Sequence, residues 1–430
     1  CLRMSACVEQ LQLAVASIPA YIERSDLLIV LVPRCRNIDR GVCCNYRTWK
    51  SRGWCRVELQ AALLKIGDIT TMVVQGAKAT PFLLNPWDAW TQIAGQGRFT
   101  CCHLGHMLGE GADAEAIPCD RVRIRSVLME LIAAKVQHLE STRQLTKMRW
   151  LLCSQQRLLQ GLPMSGAEEP DDARIQPASE PPAMRLRRIL RWTPRDQSTV
   201  ASSGRSLVLY AALSNDLPAL RSLLQEGGNS EMGLEIQSPA IQFGELPLTP
   251  LRAAMAMASF EVVEALLDAR ATPTDFCKHA AMLGSDPLFP ATTFGRADNV
   301  RAWLARFPSW DIERRERVAG CSVLMAVNPS SDGALATARA LLEARSDPNT
   351  CNDIGVNVLT SICVNDTCGP DILRLLIDAR AEVNQHCRSR SPKWRAVLWA
   401  ARAAVRCSVR SSLLRELATW EGCTPLIITG

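Results

Sequence analysis

Leu266-Leu267-Asp268-Ala269-Arg270-Ala271-Thr272-Pro273 decides the fold, because the phrase returns as Leu341-Leu342-Glu343-Ala344-Arg345-Ser346-Asp347-Pro348-Asn349 and as Leu376-Ile377-Asp378-Ala379-Arg380-Ala381-Glu382-Val383-Asn384. With the second apolar residue of each pair as marker, and weaker copies at Leu224, Leu304 and Leu414 admitted, it recurs at intervals of 43, 37, 38, 35 and 37 residues. A period of roughly 33 to 40 residues is the signature of a helical solenoid, whose units bury their apolar faces only by stacking on neighbours. The C-terminal half is expected to be such a stack, and the chain to be mainly α.

The rest of the composition bounds the other half. With 430 residues and 47% of them hydrophobic, the chain is long enough for two or three domains and is not a disordered protein. The net charge of +6, from 49 basic and 43 acidic residues, is too small and too spread out to imply nucleic acid, which is not expected as a partner. Eighteen scattered cysteines without a C-x-x-C pair read as reduced thiols of an intracellular, cytoplasmic protein. No apolar run approaches the roughly 18 to 20 residues of a membrane span. The opening at Cys1 and the end at Gly430, just after a repeat-like Thr424-Pro425-Leu426, suggest a piece of a longer product.

Toward the N-terminus the pattern changes from helical repeat to alternating helix and strand. Val8, Leu11, Leu13, Val15, Ile18 and Ile22 fit a helix interrupted near Pro19, and Leu27 to Val32 is a continuous apolar run ended by Pro33. Such a run is expected to be a strand buried on both faces. Trp54 to Leu64 has helical spacing, with Trp54, Val57, Ala61 and Leu64 on one face, and Thr71 to Val74 reads as the next strand. The order points to a parallel sheet. Val122 to Leu139, with Ile124, Val127, Leu128, Leu131, Ile132 and Val136 in register, is expected to be a helical cap on it.

Ser25 to Pro33, followed by Arg52-Gly53-Trp54-Cys55-Arg56-Val57-Glu58-Leu59, resembles the Toll/interleukin-1 receptor (TIR) domain pattern over residues 15 to 76. The resemblance implies a partial α/β module, N-terminally incomplete, used for assembly, self-association or signalling. In TIR domains that cleave NAD, the glutamate of that helix is catalytic, which by resemblance falls on Glu58. A carboxylate there would steady a developing oxocarbenium charge on the ribose. Glu58 is equally readable as a solvated or ion-paired helix residue, and Arg52-Gly53 departs from the family's small polar residue before the tryptophan.

Cys101-Cys102-His103, His106 and Cys119 carry the ligand types zinc prefers, but adjacent cysteines without a paired knuckle argue for core thiols and loop histidines, and no metal is assigned. Residues 161 to 204 are expected to be a proline-rich linker between a domain over 1–160 and repeats over 205–430. Within it, Met184 to Trp192 is a basic amphipathic segment that fits anionic lipid, nucleic acid or simple docking on a domain.

The C-terminal units resemble ankyrin repeats. Thr249-Pro250-Leu251-Arg252-Ala253-Ala254 matches that family's opening phrase, in which Thr caps a helix and Pro occupies its first turn. Ser322-Val323-Leu324 and Asn357-Val358-Leu359 are degenerate versions, and Glu231 to Leu246 reads as an insertion. The resemblance implies about six repeats, with a further one starting at the C-terminus, forming an extended surface for a protein partner. Contacts are expected on the projecting turns at Asp347, Asn349, Asn352, Asp353, Glu382, Asn384 and Gln385, positions that equally suit capping and solvation. Ankyrin units end their second helix on a left-handed Gly, as Gly227 suits, but Arg270, Arg345 and Arg380 stand there, at a cost on the order of 1 kcal/mol. The expected function is an interaction scaffold without cofactor; the alternative is a TIR-type NAD-cleaving enzyme carried by its repeats. A phosphate loop, a H-E-x-x-H motif and a nucleophile elbow are absent from the sequence.

Overall fold

A computed structural model describes residues 17–38, 41–67, 69–84, 90–109, 114–163, 180–193, 207–226, 249–271, 286–316, 319–365, 368–389, 391–407 and 422–425. They fall into two compact units, one of the described residues up to Thr193 and one of those from Leu207 onward. Val8 to Val15, Gly227, Glu231 to Leu246, Thr272-Pro273, Leu414 and Leu426 lie outside the described residues.

In the first unit, β1 (Leu27–Leu31) pairs in parallel with β4 (Thr70–Val74), Leu27 opposite Thr70. The short β2 (Cys35–Arg36) and β3 (Cys43–Cys44) form a separate ribbon between them. The expected parallel pair is therefore present, but β5 (Phe82–Leu83) joins the other side of β4 antiparallel, giving the order β1-β4-β5. Burial on both faces of β1 does not hold. Val30 is 3% exposed, whereas Leu27, Ile29 and Leu31 are 45%, 51% and 69% exposed. The pleat alternates side chains between faces, and only the Val30 face packs, against Tyr46, Val73 and the rings of Trp49 and Phe82.

Between the paired strands lie α1 (Tyr46–Lys50) and α2 (Gly53–Leu64). The glycine opening α2 is required by packing: a Cβ on Gly53 would meet the Phe99 ring at 1.9 Å. Val57, Ala61 and Leu64 are buried as expected and Trp54 half-buried, with Cys55, Leu59 and Ala62 buried as well. After α3 (Thr100–His103) and the hairpin of β6 (Met107–Leu108) and β7 (Glu115–Ala116), α4 (Asp120–Ser141) follows, then α5 (Leu145–Leu158). The predicted stripe of α4 is buried from Ile124 to Leu139 apart from half-buried Val136. It packs on α2 and α5, so the expected cap covers a helix. The basic segment forms α6 (Pro182–Ile189), with Ala183, Leu186 and Leu190 buried. Arg149 of α5 donates to the Leu190 and Arg191 carbonyls at 2.8 and 3.0 Å and stacks 4.6 Å from the Trp192 ring centre. Of the alternatives the sequence left open, this segment takes docking.

The second unit is a stack of helix pairs. The pairs are α7 (Leu207–Leu213) with α8 (Leu217–Glu226), α9 (Pro250–Met257) with α10 (Phe260–Asp268), and α11 (Leu288–Thr293) with α12 (Ala297–Arg306). A 3₁₀ turn (Leu324–Ala326) then precedes α13 (Ala334–Glu343), α14 (Val358–Cys363) precedes α15 (Pro370–Asp378), and α16 (Pro392–Arg406) follows. First members touch in the order α7, α9, α11, 3₁₀ turn, α14; second members in the order α8, α10, α12, α13, α15. Each layer buries what a lone pair would expose.

The openers cap as expected. Thr249 accepts from the Arg252 amide at 3.4 Å and Asn357 from the Thr360 amide at 2.7 Å. A further copy, Asp286-Pro287-Leu288, lies 37 residues after the Thr249 phrase and escaped the sequence reading. Asp286 is 2% exposed, accepts from the Leu288 amide and Trp310 Nε1 at 2.8 and 3.1 Å, and burial raises its pKa against those bonds. The aromatic residues of this unit form one cluster around Trp303, which is 0% exposed, with the Phe307 and Trp310 rings 4.6 and 5.1 Å away.

The defining phrase folds the same way three times. Arg270, Arg345 and Arg380 have φ of 67°, 68° and 65°. Each donates its amide to the carbonyl three residues back at 2.9 Å: Leu267, Leu342 and Ile377. The next residue, Ala271, Ser346 or Ala381, reaches back to Leu266, Leu341 or Leu376 at 2.9, 3.0 and 2.9 Å. This is a Schellman turn; the leucines are 0% exposed and the residues after the arginines 3 to 7%, apolar at Ala271 and Ala381 and polar at Ser346, whose hydroxyl donates to Glu313. The buried member of each pair is thus the first leucine. A side chain at such φ costs on the order of 1–2 kcal/mol, partly offset because Gly also loosens the unfolded chain. Arg345→Gly is therefore expected to raise unfolding stability by about 0.5–1 kcal/mol, read as a higher urea midpoint at unchanged m.

Candidate interaction surface

Between helix pairs the chain projects as fingers. In the first, the Glu316 amide donates to the Cys321 carbonyl at 2.9 Å, and the Glu316 carboxylate accepts from the Ala319 and Cys321 amides at 2.6 and 3.1 Å. The second repeats this with Asn352, whose amide donates to the Val356 carbonyl and whose Oδ1 accepts from the Ile354 and Val356 amides at 3.1 and 2.9 Å. Gly320 and Gly355, at φ 71° and 94°, close the two turns, and no larger residue fits: a Cβ on Gly355 would lie 2.3 Å from the Arg388 backbone.

Neighbouring fingers are tied sideways. Glu313 accepts from the Ser346 hydroxyl, the Asp347 amide and the Thr350 hydroxyl at 2.9, 2.8 and 2.9 Å. One unit later Asn349 accepts from the Glu382 amide at 2.7 Å and donates to the Arg380 carbonyl at 3.0 Å. The Asp353 amide donates to the Ala319 carbonyl at 2.8 Å, Arg315 donates to the Cys351 carbonyl at 2.6 Å, and Ser389 to the Asp353 carbonyl at 2.8 Å. Burial pushes the Cys321 thiol between these fingers up to about 11, so it stays protonated.

The residues expected to contact a partner separate into two groups. Asn349 and Asn352 are held by the bonds above, Asn352 being 7% exposed, and Gln385 accepts from Asn357 Nδ2 at 2.8 Å and donates to Cys351 at 3.0 Å. Asp353 is half-buried, its carboxylate against Gly320. Asp347, Glu382 and Asn384 are exposed at the tips, beside exposed Arg345 and Arg380. Glu313 was missed, although it stands 36 residues before Asn349 and serves the same register position.

Glu58 lies half-buried on α2, and its pKa is raised by burial, with Arg52 opposing the shift. Its neighbour Cys55 is pushed up to about 11 by burial and by the Glu58 charge. Among the described residues one cluster has metal-ligand geometry, Cys101, Cys102, His106 and Cys119, whose donor atoms all lie within 4.8 Å of one another. No helix among the described residues is long and apolar enough to cross a membrane.

No protein-family model matches the chain, and no curated protein does. Among solved structures, it is similar to the ankyrin repeat domain of Bcl-3, described as a unique member of the IkappaB protein family. The identity is 18% and the TM-score 0.33, over 48% of this chain and 89% of that one. The helical-repeat architecture rests on the stacked pairs and their shared turns.

If the lateral bonds hold the fingers in a row, removing one acceptor should loosen the stack. Glu313→Ala is expected to cost about 1–3 kcal/mol, more than Asn349→Ala, because charged acceptors form the stronger bonds. Urea unfolding of the two variants checks the order.

Proposed function

We propose that the chain is an ankyrin-type interaction scaffold whose finger tips bind a protein partner. The observation that supports this reading is the row of fingers held by repeat-to-repeat hydrogen bonds, with Arg345, Asp347, Arg380, Glu382 and Asn384 left exposed along it. A surface ordered before binding loses little conformational entropy on association, which favours affinity. Alternating charges at the tips favour a partner of mixed charge, with specificity set by register. A photo-crosslinker placed at Asn384 should trap a discrete partner. Purified partner should then bind the Asp347→Arg/Glu382→Arg variant at least about tenfold more weakly, at unchanged melting temperature. Equal binding by that variant would sink the tip assignment.

A second reading, NAD cleavage by a TIR-type first unit, has the half-buried carboxyl of Glu58 in its favour. Ionised, a carboxylate on α2 would steady positive charge on a ribose, although burial favours its neutral form. Under this reading nicotinamide release is measurable with the full chain and is lost in Glu58→Gln; no release above the buffer blank rejects it.

A further inference from the structure

We propose that Cys101, Cys102, His106 and Cys119 form a structural zinc site that folds the segment from Phe99 to the start of α4. Zinc takes thiolate and imidazole ligands tetrahedrally, with bonds of about 2.3 Å to sulfur and 2.0 Å to nitrogen, so its ligands stand roughly 3.3–3.8 Å apart. The Cys101 and Cys102 sulfurs are 3.9 Å apart, the Cys102 and Cys119 sulfurs 3.9 Å apart, and all four donor atoms lie within 4.8 Å. Three cysteines and one histidine leave no coordination position for substrate, which makes the site structural.

The local backbone is shaped to deliver these ligands. Gly105 and His106 both have φ of 61°, and these successive left-handed residues turn the chain back so that the His106 amide meets the Cys101 carbonyl at 2.8 Å. The His106 carbonyl accepts from the Ile117 amide at 2.9 Å, closing the hairpin that brings Cys119 round. A histidine in that conformation costs on the order of 1–2 kcal/mol, which a ligand bond offsets. His106 Nε2 is buried and has no hydrogen-bond partner among the described residues, an expensive state for an imidazole nitrogen unless a ligand takes it. Cys101, 4% exposed, accepts from the Asp120 amide at 3.4 Å, an N–H···S bond of the kind that supports metal-bound thiolates.

Hydrophobic burial is weak around His106. Phe99 is 4% exposed, but Leu104, Met107 and Leu108 are 41%, 43% and 37% exposed, so the turn and strand that carry His106 bury little apolar surface and gain from another contribution to offset their conformational entropy. A Cys101–Cys102 disulfide fits less well: the two are adjacent, and their Cα atoms, about 3.8 Å apart across a trans peptide, lie below the usual disulfide span. The ordered segment in turn anchors α2, because Asp120 accepts from Trp54 Nε1 at 3.0 Å and the Phe99 ring fills the place a side chain on Gly53 would take.

The test uses the full chain, purified under reducing conditions with zinc. Elemental analysis should give about one zinc per chain, and cobalt replacement should give thiolate charge-transfer bands with the intense visible bands of a tetrahedral site. His106→Ala and Cys119→Ser should lose the metal, whereas His106→Cys, which restores a fourth soft ligand, and Cys407→Ser, at an exposed thiol elsewhere, should keep it. Alkylation of the unmutated chain, read peptide by peptide, serves if a variant fails to fold. Cys101, Cys102 and Cys119 should be protected with zinc and labelled after chelation. Equal labelling with and without zinc, metal content unchanged in both losing variants, or a Cys102–Cys119 disulfide in zinc-free protein would each overturn the proposal.

Discussion

Three repeat units depend on one backbone constraint, the left-handed residue that ends their second helix. A helix leaves its last carbonyls without partners, and the Schellman turn returns two amides to them while swinging the chain out into the next finger. Leu266, Leu341 and Leu376 anchor that turn from inside the core, and Ala271, Ser346 and Ala381 cover them. The chain leaves α10, α13 and α15 through this turn, whereas it leaves α12 through Phe307 at φ −128°. The fingers that follow α12 and α13 nevertheless lie close enough for Glu313 to bridge them, and Asn349 bridges to the next unit.

That coupling explains why polar finger residues are poor guides to contact. An Asn or Asp in a turn can bond a nearby backbone amide, and the fingers use this repeatedly: Asn352 within its own turn, Asn349 across to the next, Asn357 at a helix start. Sequence patterns of this kind identify a turn without saying which way its side chains point. The tips that remain exposed, Asp347, Glu382 and Asn384, flank the left-handed arginines, so charge collects beside the constrained residue.

What was legible in the sequence follows the range of the interactions involved. The helix ends, the left-handed arginines and the Thr249 and Asn357 caps are decided within a few residues, and they were read. Asp286-Pro287-Leu288 was decided equally locally but was missed, since it opens on Asp where the recognised phrase opens on Thr249. The burial of β1 was misread because an apolar run is the same string whether one face or both are covered, and only its neighbours decide. Cys101, Cys102, His106 and Cys119 all stand out in the sequence and are set aside there on spacing, because their convergence within 4.8 Å depends on the turn at Gly105-His106 and on the β6–β7 pairing, which spacing alone does not show.

The same need to satisfy helix ends organises the first unit by another route, and it changes what the chain's arginine-rich composition means. Arg56 donates to the Lys50 carbonyl at the end of α1, at 2.7 Å, and to Ile93. Lys135 donates to the Lys65 carbonyl just past α2, and Arg149 to the carbonyls just past α6. All three cations are nearly buried, at 8%, 4% and 5% exposed. Cations at helix C-termini meet both orphan carbonyls and the negative end of the helix dipole. In the repeats the neutral Asn299 does the same for α9, donating to Met255 and Ala258 at 3.0 Å. The two devices combine at α6, where left-handed Arg191 and Trp192 return their amides to Arg188 and Arg187 at 3.1 and 2.8 Å while Arg149 serves the carbonyls beyond. Part of the basic excess is thus internal, held on backbone carbonyls rather than displayed to solvent.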